Sequence, residues 1–257
     1  MKRSCVIVFS FVLIFIFAIN VSAKNISWYC IRNKDHLQPK LDFYLNMVEK
    51  YDVYWIDKEH SDMNEEKVIY LTFDAGYENG NIKKIVDVLN EESVKATFFV
   101  LDNLLIQNKD LVKKMISDGH TIANHTMRHK DMTAIHDKDS FEKELSNLEK
   151  LYEDEYGLKM EKYYRPPEGR LNEENLKWAK ELGYKTVMWS FAYADWDNQN
   201  QMSSEKALKK ILDNIHNGEV MLLHPTSSTN AEIMKDLISE LKNQGFRFGT
   251  VQELCGD

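Results

Sequence analysis

The chain is 257 residues long, room for one large domain or two small ones, and 43% hydrophobic, enough for a full core; α/β barrels of this length are usually single domains. Its formal net charge of −8 argues against a nucleic-acid partner, whose electrostatic footprint is a basic face. No block of like charge, internal repeat or low-complexity segment interrupts it.

Residues 1–23 read apart from the rest. "MKRS" is a basic leader, "CVIVFSFVLIFIFAIN" is continuously apolar, and "VSA" ends in small residues suited to cleavage after Ala23. The apolar run is shorter than the ~20 residues a spanning helix prefers, so the segment reads as a secretory signal peptide. An uncleaved membrane anchor is the alternative. Either way the protein meets the membrane only through this segment, and its body lies outside the cytoplasmic membrane. Residues 24–66 form an irregular, aromatic-rich lead-in ("ISWYCIRNKDHLQPK") followed by one helix ("LDFYLNMVEKY"). Cys30 and Cys255 lie near the two ends of the mature chain. A disulfide is permitted outside the cytoplasm, but their spacing does not require one.

From residue 67 the pattern becomes regular. "VIYLTF" is a β-rich run, and "NIKKIVDVLNEE" carries apolar residues at helical spacing. "KATFFVL" is strand-like, "KDLVKKMISDG" helical, "HTIAN" a short strand and "SFEKELSNLEKLYEDEYG" a long charged helix. "KYYR" leads into "NEENLKWAKELG", with Asn172 as cap and Gly183 as stop. "YKTVMWSF" and "EVMLLH" are strands, each followed by a helix, and "FRFGTV" closes the series. This alternation predicts an α/β fold of about seven parallel strands, either a (β/α) barrel or a doubly wound sheet.

The polar punctuation follows the strands. Asp74 closes the first, His125 and His129 the third, Arg165 the fourth, Asp195 and Trp196 the fifth, and His224 the sixth. In a parallel α/β architecture all of these open onto the C-terminal ends of the strands, where such folds keep their sites. Asp74 alone, followed by Ala75 and Gly76, would be a turn residue. Five positions on one rim make a site.

Each motif also has a plainer reading. "NHTMRH" sets two imidazoles four residues apart, one face of a helical turn able to hold a metal ion. It equally suits histidines that only satisfy nearby backbone groups, and Thr126 stands where metalloprotease helices carry Glu. "YYRPPEG" holds Arg165 before two prolines on a stiff loop, or is simply a structural turn. His224 in "LLHPTS" could be a satisfied core histidine, and Trp196 in "ADW" a wedge in the core.

Taken in order, "TFDAG", "HTMRH", "RPPEG", "DW" and "LLH" resemble the motifs of the polysaccharide deacetylases that share the NodB homology domain, carbohydrate esterase family 4. The resemblance runs from about residue 67 to the C-terminus. "TFDAGYENG", "SFAYADW" and "SWYCIRNKDHLQP" look like the branch of peptidoglycan N-acetylmuramic acid deacetylases that make muramic δ-lactam in spore cortex. It implies a distorted (β/α) barrel of about seven strands over 67–257, and glycan strands of peptidoglycan as the partner. It also implies Asp74 as general base, His224 as general acid, and Asp195 as a brace for Arg165, which pairs with Asp74. A backbone N–H near Glu168 would meet the oxyanion, while Trp196 and Leu222 would wall the acetyl pocket. A divalent metal, zinc by the resemblance, would sit on His125 and His129.

One departure stands out. The family pattern has a second Asp after the base as third metal ligand, and here the position is Ala75, so the metal site is lean. Arg170, with Arg32 as a second candidate, could pair with the lactyl carboxylate of muramic acid, or be a solvated surface charge. Two rival readings remain: a deacetylase of N-acetylglucosamine or chitin-like glycans, and a non-catalytic glycan-binding protein whose metal site has decayed.

Overall fold

The structure, a computed structural model, describes residues 24–257; the leader 1–23 lies outside the described residues. Among the described residues no helix is long and apolar enough to cross a membrane.

Seven parallel strands carry the core: β1 (Lys67–Ala75), β2 (Thr97–Val100), β3 (Thr121–Asn124), β4 (Tyr163–Tyr164), β5 (Lys185–Val187), β6 (Glu219–Leu223) and β7 (Phe246–Gly249). The helices between them are α1 (Asn81–Glu91), α2 (Asp102–Gln107), α3 (Lys109–Ser117), α4 (Lys138–Tyr156), α5 (Glu173–Glu181), α6 (Ser204–Leu212) and α7 (Ser228–Asn243). Strand β1 is buried over almost its whole length because it has neighbours on both edges, which is why it reads as a continuous apolar run. One edge pairs with β6; the other pairs with β7 over Lys67–Tyr70 and with β2 over Thr72–Ala75. Two strands sharing one edge of β1 distort the barrel. From β2 the sheet continues through β3, β4 and β5. It then curls back where Phe191, just past β5, bridges Met221 of β6, with the Ser190 N–H donating to the Val220 carbonyl at 3.0 Å.

The lead-in is built onto this frame. Val53–Tyr54 adds a parallel strand beside β5, and Ile26–Ser27 pairs antiparallel with Arg170–Leu171. The stretch expected as an α-helix, Phe43–Lys50, is a 3₁₀ helix. It still buries Leu45 and Val48 in a satellite core with Trp28, Trp55 and Leu176. The sequence pattern left α2 unassigned, between the strand run ending at Leu101 and the helix opening at Lys109. Asn172 caps α5 as expected, its side chain accepting the Asn175 N–H at 2.8 Å. Cys30 and Cys255 are not bridged. The Cys30 thiol points at the Trp189 carbonyl and Cys255 is buried with Val68 and Val251, and burial pushes both thiols up to about 12.

Candidate active site

At the C-terminal ends of the strands lies a cavity of about 230 Å³, walled by Asp74, Gly76, Tyr77, Leu101, His125, His129, Trp196, His224 and Thr226. Two buried polar arms reach it from the ends of two neighbouring strands, β1 and β6.

The first arm is Asp74 with Arg165. Asp74 sits one residue before the end of β1, its side chain 10% exposed, and accepts from Arg165 Nη1 at 2.9 Å. Arg165 is fully buried, so its remaining donors must find partners inside the protein. Nη2 donates to Thr72 Oγ1 and to the Met188 carbonyl, Nε donates to the Val187 carbonyl, and Phe99 lies under the guanidinium at 4.1 Å. Burial alone would raise the Asp74 carboxyl; facing His125, Arg165 and His224, it is held below the ordinary carboxylate range instead. The result is an ionised, oriented carboxylate in the cavity wall.

The second arm is His224 with Asp195, and here the structure corrects the sequence expectation. Asp195 does not brace Arg165. Its Oδ1 accepts from His224 Nδ1 at 2.7 Å, and its Oδ2 from the His224 backbone N–H at 2.8 Å and from Asn230 Nδ2 at 2.6 Å. Asp195 is buried, which makes these charge-assisted bonds strong and directional. Burial disfavours the imidazolium, but the Asp195 carboxylate outweighs it and raises the His224 pKa above the ordinary imidazole value. With Nδ1 committed to Asp195, Nε2 is left for the cavity, and Trp196 packs edge-on at 6.1 Å.

The histidine pair departs from the expected helical turn. Thr126 (φ 73) and His129 (φ 53) both take left-handed conformations. The turn is held by Asn124 Oδ1 accepting the Thr126 N–H, and by Thr126 Oγ1 accepting the His129 N–H. It nevertheless brings the two rings to 5.0 Å, edge to face. His125 Nδ1 donates to the Arg165 carbonyl at 2.8 Å, leaving Nε2 3.5 Å from Asp74 Oδ2. Burial pushes the His125 pKa down to about 4 against the pull of Asp74, so the ring is neutral at pH 7, as a metal ligand must be. A three-ligand metal centre is nonetheless not met. Among the described residues no group of three or more His, Cys, Asp or Glu is arranged to hold an ion, and Ala75 is fully buried in the apolar core.

The Pro-stiffened loop is shaped by Gly169, whose φ of +63 and closeness to Trp189, 2.6 Å from where a Cβ would sit, admit no side chain. Next to it Glu168 takes φ 55, an unusual conformation for a non-glycine residue and one that tends to cluster at ligand sites. Arg170 is exposed and already paired, with Asp131 at 2.8 Å and Glu168 at 3.0 Å. Arg32 is away from the cavity, donating to the Ala192 carbonyl and packing on Phe191. Leu222 is buried and is not one of the cavity walls, a place taken by Leu101.

The model of the polysaccharide deacetylase family matches residues 61–187. Peptidoglycan-N-acetylmuramic acid deacetylase PdaA of Bacillus subtilis (strain 168) is 37% identical over 235 residues, 91% of this chain and 87% of that protein. The chain belongs to the polysaccharide deacetylase family, carbohydrate esterase family 4. A peptidoglycan-N-acetylglucosamine deacetylase of Bacillus cereus is 36% identical over 197 residues, 74% of this chain and 89% of that protein. The solved structure of Bacillus subtilis PdaA, a family 4 carbohydrate esterase, matches with a TM-score of 0.83 at 38% identity, over 90% of this chain and 97% of that one.

Sequence reading missed several groups that shape the site of this deacetylase. Asn79 and Asn81 both donate to the Thr226 carbonyl, at 2.8 and 2.9 Å, tying the loop after Asp74 to the loop after His224. Asn230 holds Asp195 and the His224 carbonyl together, and Gln201 staples the Asp195–Asp197 turn by donating to both carbonyls. Asn79 and Asn81 sit within the "GYENG" stretch and its next residue, but nothing in the sequence names their partner.

Proposed function

We propose that this deacetylase is exported and removes the acetyl group from N-acetylmuramic acid in peptidoglycan, a step toward the muramic δ-lactam of spore cortex. The observation that carries the chemistry is the pair of buried arms: an ionised Asp74 on one side of the cavity and a carboxylate-backed imidazole on the other. Hydrolysis of an acetamide needs both. Asp74 takes a proton from water as the water oxygen adds to the acetyl carbon, and a backbone N–H near Glu168 receives the oxyanion. His224 then gives its Nε2 proton to the amine nitrogen as the C–N bond breaks, releasing acetate and the free amine. A glycan-binding module would not need a base and an acid facing one another. Muramic acid as substrate, and the cell-wall location, are supported by the name of the PdaA relative and by the export signal read at residues 1–23.

A bound divalent cation would polarise the acetyl carbonyl. His125 and His129 are the residues that would hold it here, and two imidazoles without an anionic third ligand bind weakly. Calorimetric titration of zinc is expected to show weak binding that disappears in His125→Ala and His129→Ala and tightens in Ala75→Asp. Equal affinities in Ala75→Asp and the parent would count against this geometry. Since Ala75 lies in the apolar core, the metal-free Ala75→Asp protein should also melt at a lower temperature.

The substrate is tested by mass spectrometry of glycan fragments after incubation with the mature protein. Peptide-free strands are expected to lose acetyl from muramic acid, with N-acetylglucosamine oligomers reacting roughly tenfold to hundredfold less well, the worth of one charge-assisted bond to the lactyl carboxylate. A specific observation favours the N-acetylglucosamine reading: Arg170, the exposed cation that follows the Pro-stiffened turn, is already shared by Asp131 and Glu168. If Arg170→Ala leaves the preference unchanged, Arg170 does not read the lactyl group. Comparable rates on both substrates would overturn muramic specificity.

A further inference from the structure

The lead-in reaches the candidate active site at the turn Pro166–Gly169. One end of this turn is fixed to the histidine loop, where the Arg165 carbonyl accepts from His125 Nδ1 at 2.8 Å. The other end is fixed where Arg170 pairs with Asp131, two residues beyond His129, at 2.8 Å. Between these anchors Glu168 (φ 55) and Gly169 (φ 63) are both left-handed. A non-glycine residue keeps that conformation only where its surroundings over-determine it. Here two tryptophans do so. The Cβ of Trp28 lies 3.1 Å, and the ring of Trp189 2.6 Å, from the point where a Gly169 side chain would begin, so Gly169 is gripped between them. The Trp28 backbone N–H donates to the Gly169 carbonyl at 2.9 Å, and its indole Nε1 donates to the Trp189 carbonyl at 2.8 Å. The second bond locks the two jaws together. Trp28 is itself held by Trp55, edge-on at 5.9 Å, and follows the strand pairing of Ile26 and Ser27 with Leu171 and Arg170.

Resting on the deacetylase reading above, we propose that Trp28 is a positioning residue: with Trp189 it clamps Gly169 and so keeps the Glu168 backbone N–H aimed at the oxyanion. The oxyanion exists only once water has added to the acetyl carbon. A donor set in place for it beforehand lowers the barrier without tightening the ground state. A backbone N–H has no rotamers; it points where the peptide plane points, and the left-handed turn sets that plane. Relaxing Glu168 toward an ordinary φ swings the donor away, and a misplacement of about 1 Å can cost about 10²-fold in rate. Trp28 is not a wall of the cavity, so it acts only through the turn.

The test compares two variants of the same satellite core. Trp28→Phe keeps a ring against Trp55 and removes the indole donor; Leu45→Ala opens a cavity nearby and leaves the clamp intact. On peptide-free strands Trp28→Phe is expected to lower kcat about tenfold, the worth of one hydrogen bond, with KM changed by less than about twofold. Leu45→Ala should melt at a lower temperature and keep the parent kcat. An equal loss of kcat in both variants, or a Trp28→Phe effect confined to KM, would overturn the assignment. A second measurement does not need turnover. A methylphosphonamidate of the amino sugar carries a tetrahedral anion in place of the acetyl group, and calorimetric titration reads its affinity. It should bind Trp28→Phe about tenfold more weakly than the parent, while the N-acetyl sugar binds both alike. Equal affinity for the anion would also overturn the clamp. Failure of the deacetylase reading shows elsewhere: the parent would release no acetate from any strand, and the phosphonamidate titration would still decide Trp28.

Discussion

Asp74→Asn is expected to reduce acetate release by ~10²–10⁴-fold, the usual contribution of a positioned general base. The substitution keeps the shape of the side chain but removes both the proton acceptor and the countercharge of Arg165. That second loss has a structural consequence. Arg165 is fully buried, and its three other hydrogen-bond partners, Thr72 Oγ1 and the carbonyls of Val187 and Met188, are neutral. Stranding a buried cation costs of order 3 kcal/mol, and for a chain of this size each kcal/mol lowers Tm by ~2–4 °C. The variant should therefore stay folded at room temperature, melt roughly 6–12 °C lower, and turn over almost nothing. Circular dichroism melts and acetate assays on the same preparation check both parts. Near-normal turnover would remove Asp74 from the role of base.

His224→Ala should lose a comparable factor in rate, because no other imidazole is backed by a carboxylate on that side of the cavity. The more discriminating experiment is Asp195→Asn. To act as the proposed acid His224 must be protonated, and its pKa lies above the ordinary imidazole value because the Asp195 carboxylate outweighs burial. Activity in the parent therefore persists above that value and falls as pH rises through the raised pKa. With Asp195→Asn the countercharge goes while burial stays, so the alkaline limb of the kcat profile should move to lower pH and the rate at neutral pH should drop. The stability from this pair has the same sign: present below the unfolded pKa of histidine and lost as pH rises through the folded one. An unchanged alkaline limb in Asp195→Asn would show that Asp195 only supports the loop.

The reach of sequence reasoning can be judged at Asp195. It lies thirty residues from Arg165 and twenty-nine from His224, so separation along the chain does not choose between them. The choice is made where Phe191 bridges Met221, because that contact brings the end of the Asp195 loop beside the end of β6. The histidine pair failed differently. Four-residue spacing puts side chains on one helical face only if the backbone there is helical, and backbone N–H bonds to the Asn124 and Thr126 side chains hold it in a left-handed turn instead. The rings still meet, since a compact turn also brings residues four apart together.

By itself the sequence determined the alternation of strands and helices, hence the parallel sheet and the face on which its polar strand ends gather. Those are local properties: apolar period, caps and turn residues act within a few residues. It also marked Asp74, Arg165 and His224, because ordered motifs carry chemistry without coordinates. Only the tertiary structure decided which carboxylate serves which cation, that Ala75 is packed within the apolar core, and that Asn79 and Asn81 share one carbonyl at Thr226. Those bonds span from 29 residues, for Asp195 and His224, to 147, for Asn79 and Thr226. Partners so far apart are selected by the closing of the sheet, where each buried polar group must be satisfied by whatever the curled strands bring within reach.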